Sequence, residues 1–485
     1  MFPAGTGLSP VPPLGVTAAF TNAQIARLTK NFTFGWVRIR ANLKMFNVLN
    51  NNAVLAVQTR YGATFLTPQN ILPCRFVKID AQLPPTFIET IGDPSMTLRT
   101  LATMLAAATI VALLSGASLI TRVTAQGRQA PTFQVDPAWP ALPNNWVLGT
   151  VTSVTAGKDD HVWIVHRPRT VAEAQRAHAA PPVLEYDAAG KFVKAWGGDG
   201  QGYDWPGAEH GIFSDYKGNL WFTGSSPSGG DPAGPVDNMV LKFSRDGKFI
   251  RQIGGRNEPG GNKDTKNFER ATDIDVFQPT NEVFISDGYG NRRVIVLDAD
   301  TGAFKRMWGA FGKPPDGDPP AAIIRPGAPR PAAPTPAAPP PATGDGSPRF
   351  GNPVHAVKVS KDRLVYVADR TNRRIQVFDL NGRYINQVFI NRTEGVSAAG
   401  IAFSPDAQQT YMYVADYGNS HVVVLNRKTL EVIYQFGKRS AAPGDFQGIH
   451  TLAADSKGNL YTAEVAPGNR AQKFMFKGTS APPTQ

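Results

Sequence analysis

One cysteine, Cys74, occurs in 485 residues, so no disulfide can form within the chain. Charged residues are scarce at 18% against 42% apolar, which leaves ample material for a packed core. The net charge of +12 suggests a nucleic-acid partner until its distribution is read. Residues 1–125 hold ten Lys/Arg and three Asp/Glu, a net of +7, and the remaining 360 residues share +5. That is a mildly basic surface with no patch, so no nucleic acid is expected as partner. Long apolar runs are nearly absent too. The one that occurs, Leu101 to Ile120, follows Met96-Thr-Leu-Arg-Thr100 and precedes Val123-Thr124-Ala125. A short basic start, an apolar middle and small residues before a cleavage point make a secretory signal over 96–125.

A signal works at a nascent N-terminus, so translation is expected to begin at Met96. Residues 1–95 then read as a mis-called upstream extension, with no repeat, no sustained period and Pro/Asn-rich breaks, and are expected to be disordered. The rest of the chain is expected in the periplasm or outside the cell. About 20 apolar residues also suffice to span a bilayer. An uncleaved anchor at 101–120 is therefore the alternative, and the only route to membrane association.

From about residue 148 a four-strand pattern repeats. The unit His210–Gly254 shows it most clearly: GIFSD, a Tyr-Lys-Gly-Asn turn, LWFTG, NMVLKFS, an Arg-Asp-Gly-Lys hairpin and FIRQIG. Short β-branched and aromatic runs broken by Gly-Asn and Asp-Gly turns are hairpins. Six units open near residues 150, 208, 271, 353, 398 and 447, which predicts an all-β six-bladed β-propeller over 130–478. The sixth unit runs out after its third strand, and Thr132–Val135 is expected to supply the fourth and close the ring. Residues 313–349 (APRPAAPTPAAPPPATG within them) interrupt the pattern. They read as a solvated polyproline-like excursion, or as a wall spacer or ligand loop.

Histidine is scarce, seven in all, yet three share one register. His210, His355 and His450 each open the first strand of a unit, and a closed ring turns equivalent positions toward a common axis. In each blade the first strand begins, and the second ends, at the same face. Arg167, Tyr289 and Arg370 follow second strands, so histidines, arginines and tyrosine converge on one channel mouth from five of six blades. A single histidine at a strand start is ordinarily a hydrogen-bonded structural residue, and an Arg or Tyr after a strand ordinarily a turn residue. Three histidines in one register favour a metal site instead. Three neutral imidazoles suit Zn²⁺ and leave a fourth position open, as in catalytic zinc sites. Tyr417 falls near the Arg370 register and is given no role; His161, His178 and His421 are expected in turns or linkers, solvated.

The repeats GNLWFTG, VFISDGYGNRRVIVLD and VYVADRTNRRIQVFD resemble NHL repeats. More narrowly, residues 148–477 resemble the peptidyl-α-hydroxyglycine α-amidating lyases, through His166-Arg167, Ser286-Asp287-Gly288-Tyr289, Ala368-Asp369-Arg370 and the three histidines. The resemblance implies a lyase that splits a carbinolamide C–N bond to an amide and glyoxylate, with no redox cofactor. It implies zinc on His210, His355 and His450, a base in Tyr289, a carboxylate-binding Arg167, and Arg370 orienting or acidifying Tyr289. It also implies an axial structural Ca²⁺ held by two carbonyls, here those of Val154 and Ile212, and by an Asp after the third histidine. That last position is Thr451. The family's disulfides are missing as well, since Gly290 stands where a cysteine is expected. The substrate expected is a small-molecule or peptide α-hydroxyamide, and the protein is expected to be a monomer. Two other readings compete. One is a non-catalytic NHL propeller that binds a protein or glycan. The other, a six-bladed calcium-dependent lactonase or esterase, wants Glu, Asn and Asp at the mouth where His, Arg and Tyr stand.

Overall fold

The computed structural model describes residues 129–227, 235–315 and 343–482 in full, and five strands between residues 25 and 82 by their backbone. Residues 1–123 form a unit of their own. Disorder is what the sequence suggests for 1–95; strands lie there instead. Ile25–Phe34, Val37–Phe46 and Phe76–Gln82 make a three-stranded sheet, and Val54–Val57 pairs with Pro68–Ile71. The reason is visible in Val37-Arg-Ile-Arg-Ala-Asn-Leu-Lys-Met45, an apolar/polar alternation of period two that the Pro and Asn breaks on either side obscure. The signal-like segment 96–125 and most of the Pro/Ala-rich insertion (316–342) lie outside the described residues. Among the described residues no helix is long and apolar enough to cross a membrane.

Residues 130–480 build six four-stranded antiparallel sheets, one per repeat. Strand A of blades 1 to 6 is Thr150–Ala156, Glu209–Ser214, Ala271–Phe277, Val354–Val359, Gly400–Phe403 and Ile449–Ala454. Strand B is Val162–Arg167, Leu220–Gly224, Glu282–Asp287, Leu364–Asp369, Tyr411–Asp416 and Leu460–Glu464. These starts fall within two residues of the unit openings read from the sequence.

Local chemistry explains the repeat signature. In the A-to-B turn Asp215 takes the N–H groups of Lys217 and Asn219 on one oxygen and the Trp221 indole on the other. Asp455 does the same for Lys457 and Asn459, with Tyr461 in place of the tryptophan. At the other end of strand B a buried acid meets the first residue of strand C. Asp287 pairs with Arg293, Asp369 with Arg374 and Glu464 with Arg470, all at 2.8–2.9 Å. In blade 5 the arginine is replaced by His421, 3.9 Å from Asp416; this histidine opens strand C and is half-buried, not a solvated turn residue. His161 is also engaged, 2.8 Å from Glu185.

The core is divided among six apolar clusters, one at each junction between neighbouring sheets. The ring closes as the sequence suggests. Ala130–Asp136 pairs with Arg470–Ser480 as the outer strand of blade 6, Val135 opposite Phe474 and Phe133 opposite Phe476. Phe133 also packs on Tyr413 and Phe436 of blade 5. Phe133→Ala is expected to cost about 2 kcal/mol in chemical denaturation, because a half-buried ring that bridges two blades is lost. A change within error would mean the closing strand contributes little.

Candidate functional site

The site is set by a slip in register at the start of strand A. In blades 1, 3, 4 and 6 the pairing with strand B skips one residue: Thr152, Thr272, His355 and His450. In blade 2 the slip spans His210 and Gly211, and in blade 5 Ala399, just ahead of the strand, holds the same place. A bulge re-aims the side chain it carries. Around the ring this register therefore reads Thr, His, Thr, His, Ala, His. Histidines come from alternate blades, and their supports come from the blades between. His210 Nδ1–H donates to Thr272 O at 2.8 Å, His355 Nδ1–H to Ala399 O at 2.6 Å, and His450 Nδ1–H to Thr152 O at 2.7 Å. Each acceptor is the carbonyl of the matching register in the next blade. Gly211 lets this happen beside His210, since a Cβ there would lie 2.6 Å from Thr272 O.

A carbonyl can only accept, so each Nδ1 carries the proton and each Nε2 presents its lone pair. One ring nitrogen from each histidine lies within 4.8 Å of the others, and the ring centroids are 4.5–5.1 Å apart. Corners that close sit no more than about 2.8 Å from a shared centre, against a Zn–N bond of about 2.0–2.1 Å. Small side-chain shifts bring all three onto one ion, so the triad could hold a metal. All three imidazoles are buried. Burial pushes His210 and His355 well below the usual histidine range and His450 down to about 3, with the Arg370 charge depressing His355 and His450 further.

Depressed values mean that the folded chain binds these protons less readily than the unfolded one, where histidine titrates near 6.5. The stability conferred by three neutral imidazoles is therefore present above about pH 6.5 and lost as pH falls toward the folded-state values. For metal-free protein the loss approaches about 4 kcal/mol per pH unit, about 1.4 for each ring. Denaturant titrations across this window should show that slope, and replacement of one histidine by glutamine should reduce it by a third. A flat profile would mean that the rings are accessible to protons.

Tyr289 caps the triad. Its hydroxyl is 3.2 Å from His210 Nε2 and 3.4 Å from His355 Nε2. Gly288 makes this possible: a Cβ there would sit 1.9 Å from Val354 O, so only glycine lets the chain pass so close to blade 4. Arg270 and Asn352 both donate to the Tyr289 carbonyl, at 2.7 and 2.9 Å. Arg370 Nη1 reaches the Tyr289 hydroxyl at 3.5 Å. Its guanidinium also lies 5.7 Å from the Tyr289 ring and 5.3 Å from the Tyr417 ring, and Tyr417 in turn sets its edge against His450. Tyr417, given no role from sequence, is thus a wall of the mouth. Arg167 is buried, with Nε donating to Glu209 O and Nη2 to Ser225 Oγ, both at 2.9 Å. Beside it His166 accepts from Gly149 N–H and donates to Pro181 O, which ties the blade 1 loop to the strand. The structure therefore gathers His210, His355, His450, Tyr289 and Arg370 in one cluster. Arg167 stands one blade away, held by the residue before His210.

The set of ligands that the resemblance implies for calcium is incomplete. Val154 and Ile212 line the channel, but Thr451 adds no carboxylate and donates its hydroxyl to Thr152 O at 3.2 Å. Among the described residues the histidine triad is the only cluster of three His, Cys, Asp or Glu side chains close enough to hold an ion.

No family model matches the chain. It is 26% identical over 354 residues to NHL repeat-containing protein 3 of Homo sapiens, covering 71% of this chain and 84% of that protein. It is 25% identical over 381 residues to peptidyl-alpha-hydroxyglycine alpha-amidating lyase 1 of Drosophila melanogaster, covering 72% of this chain and 61% of the fly protein. Peptidylglycine alpha-amidating monooxygenase of Rattus norvegicus is 26% identical over 270 residues, which cover 55% of this chain and 23% of the rat protein. The match thus spans less than two thirds of the fly lyase and about a quarter of the rat monooxygenase.

Proposed function

From a chain that is a six-bladed propeller of NHL-type repeats resembling peptidyl-α-hydroxyglycine α-amidating lyase, we propose an exported zinc-dependent lyase. Its substrate is an α-hydroxyamide bearing a carboxylate, R–CO–NH–CH(OH)–COO⁻, and its products are R–CO–NH₂ and glyoxylate. The observation that carries this reading is the triad of Nε2 lone pairs facing one another beneath the Tyr289 hydroxyl.

Zinc bound by His210, His355 and His450 would supply Lewis acidity to the substrate hydroxyl. Tyr289 takes the hydroxyl proton. The electrons of that O–H bond form the aldehyde C=O as the C–N bond breaks, and the nitrogen regains a proton from the tyrosine, so the reaction is redox-neutral. Arg370, whose Nη1 lies 3.5 Å from the Tyr289 hydroxyl, orients that oxygen toward the triad. Arg167, its plane fixed by Glu209 O and Ser225 Oγ, holds the carboxylate through its remaining N–H groups.

Glyoxylate release from an α-hydroxyglycine peptide by zinc-loaded protein tests the proposal, and no release over background overturns it. Arg167→Ala should raise KM for the carboxylate substrate by roughly 10²-fold, the worth of a charge-assisted hydrogen-bond pair. The variant and the native enzyme should turn over the corresponding carboxamide equally poorly. A specific observation favours a second reading. A relative named only for its repeats matches as well as the lyases do. A non-catalytic propeller would bind a partner and release no glyoxylate.

A further inference from the structure

Beneath the histidines, the inner edges of the six A strands line the channel, and their backbone groups need partners. In two of the blades side chains from the preceding blade provide them. Ser153 and Thr155 accept from Ile212 N–H and Ser214 N–H, and Asp273 and Asp275 from Val357 N–H and Val359 N–H. Carbonyl oxygens and two carboxylates are thereby brought into a cavity of about 200 Å³, lined also by Val154, Ile212 and Thr451. An acceptor-rich, low-dielectric channel calls for a positive charge.

Lys358, on strand A of blade 4, answers that need. Its ammonium is 2.7 Å from Asp273 Oδ2 and 3.1 Å from Ile274 O. Val154, Ile212 and Ile274 occupy one level of the A strands in blades 1, 2 and 3, two residues below the bulge. Lys358 therefore binds a carbonyl at the level of the two that the resemblance assigns to calcium. The Phe213 ring lies 5.4 Å from the ammonium, and the Lys358 and Asp273 side chains are only 19% and 11% exposed. The neighbouring Asp275 is pushed up to about 6, chiefly by burial, which is the sign of a channel that resists unpaired negative charge.

We propose that Lys358 is the built-in cation of the central channel, and that the propeller folds and holds its shape without a structural calcium ion. The ammonium satisfies Asp273 and Ile274 O, so the Asp273 charge is paired within the protein itself, while Thr451 has no carboxylate to offer. The inference does not depend on the lyase reading, because it concerns the channel below the triad and makes no use of substrate or zinc.

The test uses the full chain purified in calcium-free, zinc-containing buffer. Elemental analysis should find no stoichiometric calcium, and millimolar Ca²⁺ should leave the thermal midpoint unmoved. Lys358→Met keeps the length of the side chain and removes its charge. Its midpoint should fall by roughly 5 °C or more, since Asp273 is left as a nearly buried, unpaired charge. Ca²⁺ should restore part of that loss. In Asp273→Asn/Lys358→Met the midpoint should recover toward the native value without added calcium. One calcium per chain in the native protein, or a native midpoint that Ca²⁺ raises as much as it raises that of Lys358→Met, would overturn the proposal. The native arms decide the matter even where a variant fails to fold.

Discussion

His355→Ala is expected to abolish both zinc binding and glyoxylate release while the propeller persists. Two imidazoles remain after the substitution, and two neutral ligands hold zinc far less tightly than three. The loss should exceed the roughly 10–100-fold that removal of a merely supporting hydrogen bond costs a metal site. His355 is the most informative of the three. It touches the Tyr289 hydroxyl at 3.4 Å and sits closest to His450. Its removal also leaves the Ala399 carbonyl without its donor, so some destabilisation accompanies the loss. Metal content separates the two effects. A folded His355→Ala protein that retains one zinc per chain would show that the triad is not the ligand set.

Tyr289→Phe removes one oxygen atom and little else. The ring stays in its edge-on packing against His210 and His355, 5.1 and 5.9 Å between centroids, and the backbone holds of Arg270 and Asn352 are unaffected. Zinc should stay at one per chain and KM should change little. The turnover number should fall by roughly 10²–10⁴-fold, the range for loss of a positioned general acid–base. Arg370→Ala should produce a smaller drop in turnover, because the Tyr289 hydroxyl loses the contact that orients it. A Tyr289→Phe enzyme within a few-fold of the native rate would remove tyrosine from the mechanism and leave the metal site standing.

Much of the architecture was legible because each blade repeats the same local bargains. Asp-x-x-Gly-Asn turns, hairpins with Asp-Gly and a strand missing from the last unit are all local facts of sequence, and they give six blades and the closing strand. The histidine register was legible for the same reason. What could not be read was the bulge that turns those histidines inward, since a one-residue slip in pairing leaves no mark on the pattern of either strand. The carbonyl supports at Thr152, Thr272 and Ala399 were hidden with it, because they depend on which residues of neighbouring blades share a level. Tyr417 against Arg370, Arg270 under Tyr289 and Lys358 in the channel are likewise contacts between blades. A weak signal existed for Lys358: it is a cation in strand A, where the other blades carry uncharged or acidic residues at the same level. The strands before residue 83 carry a signal of their own, the alternation from Val37 to Met45.

The proposed function requires three imidazole nitrogens to share one ion above the channel. Crystals of the zinc-loaded protein, measured on either side of the zinc absorption edge, test it directly. A single strong anomalous peak is expected about 2.0–2.1 Å from Nε2 of His210, His355 and His450, with a fourth position facing Tyr289. No peak there, or a zinc bound elsewhere while the three rings stay apart, would contradict it.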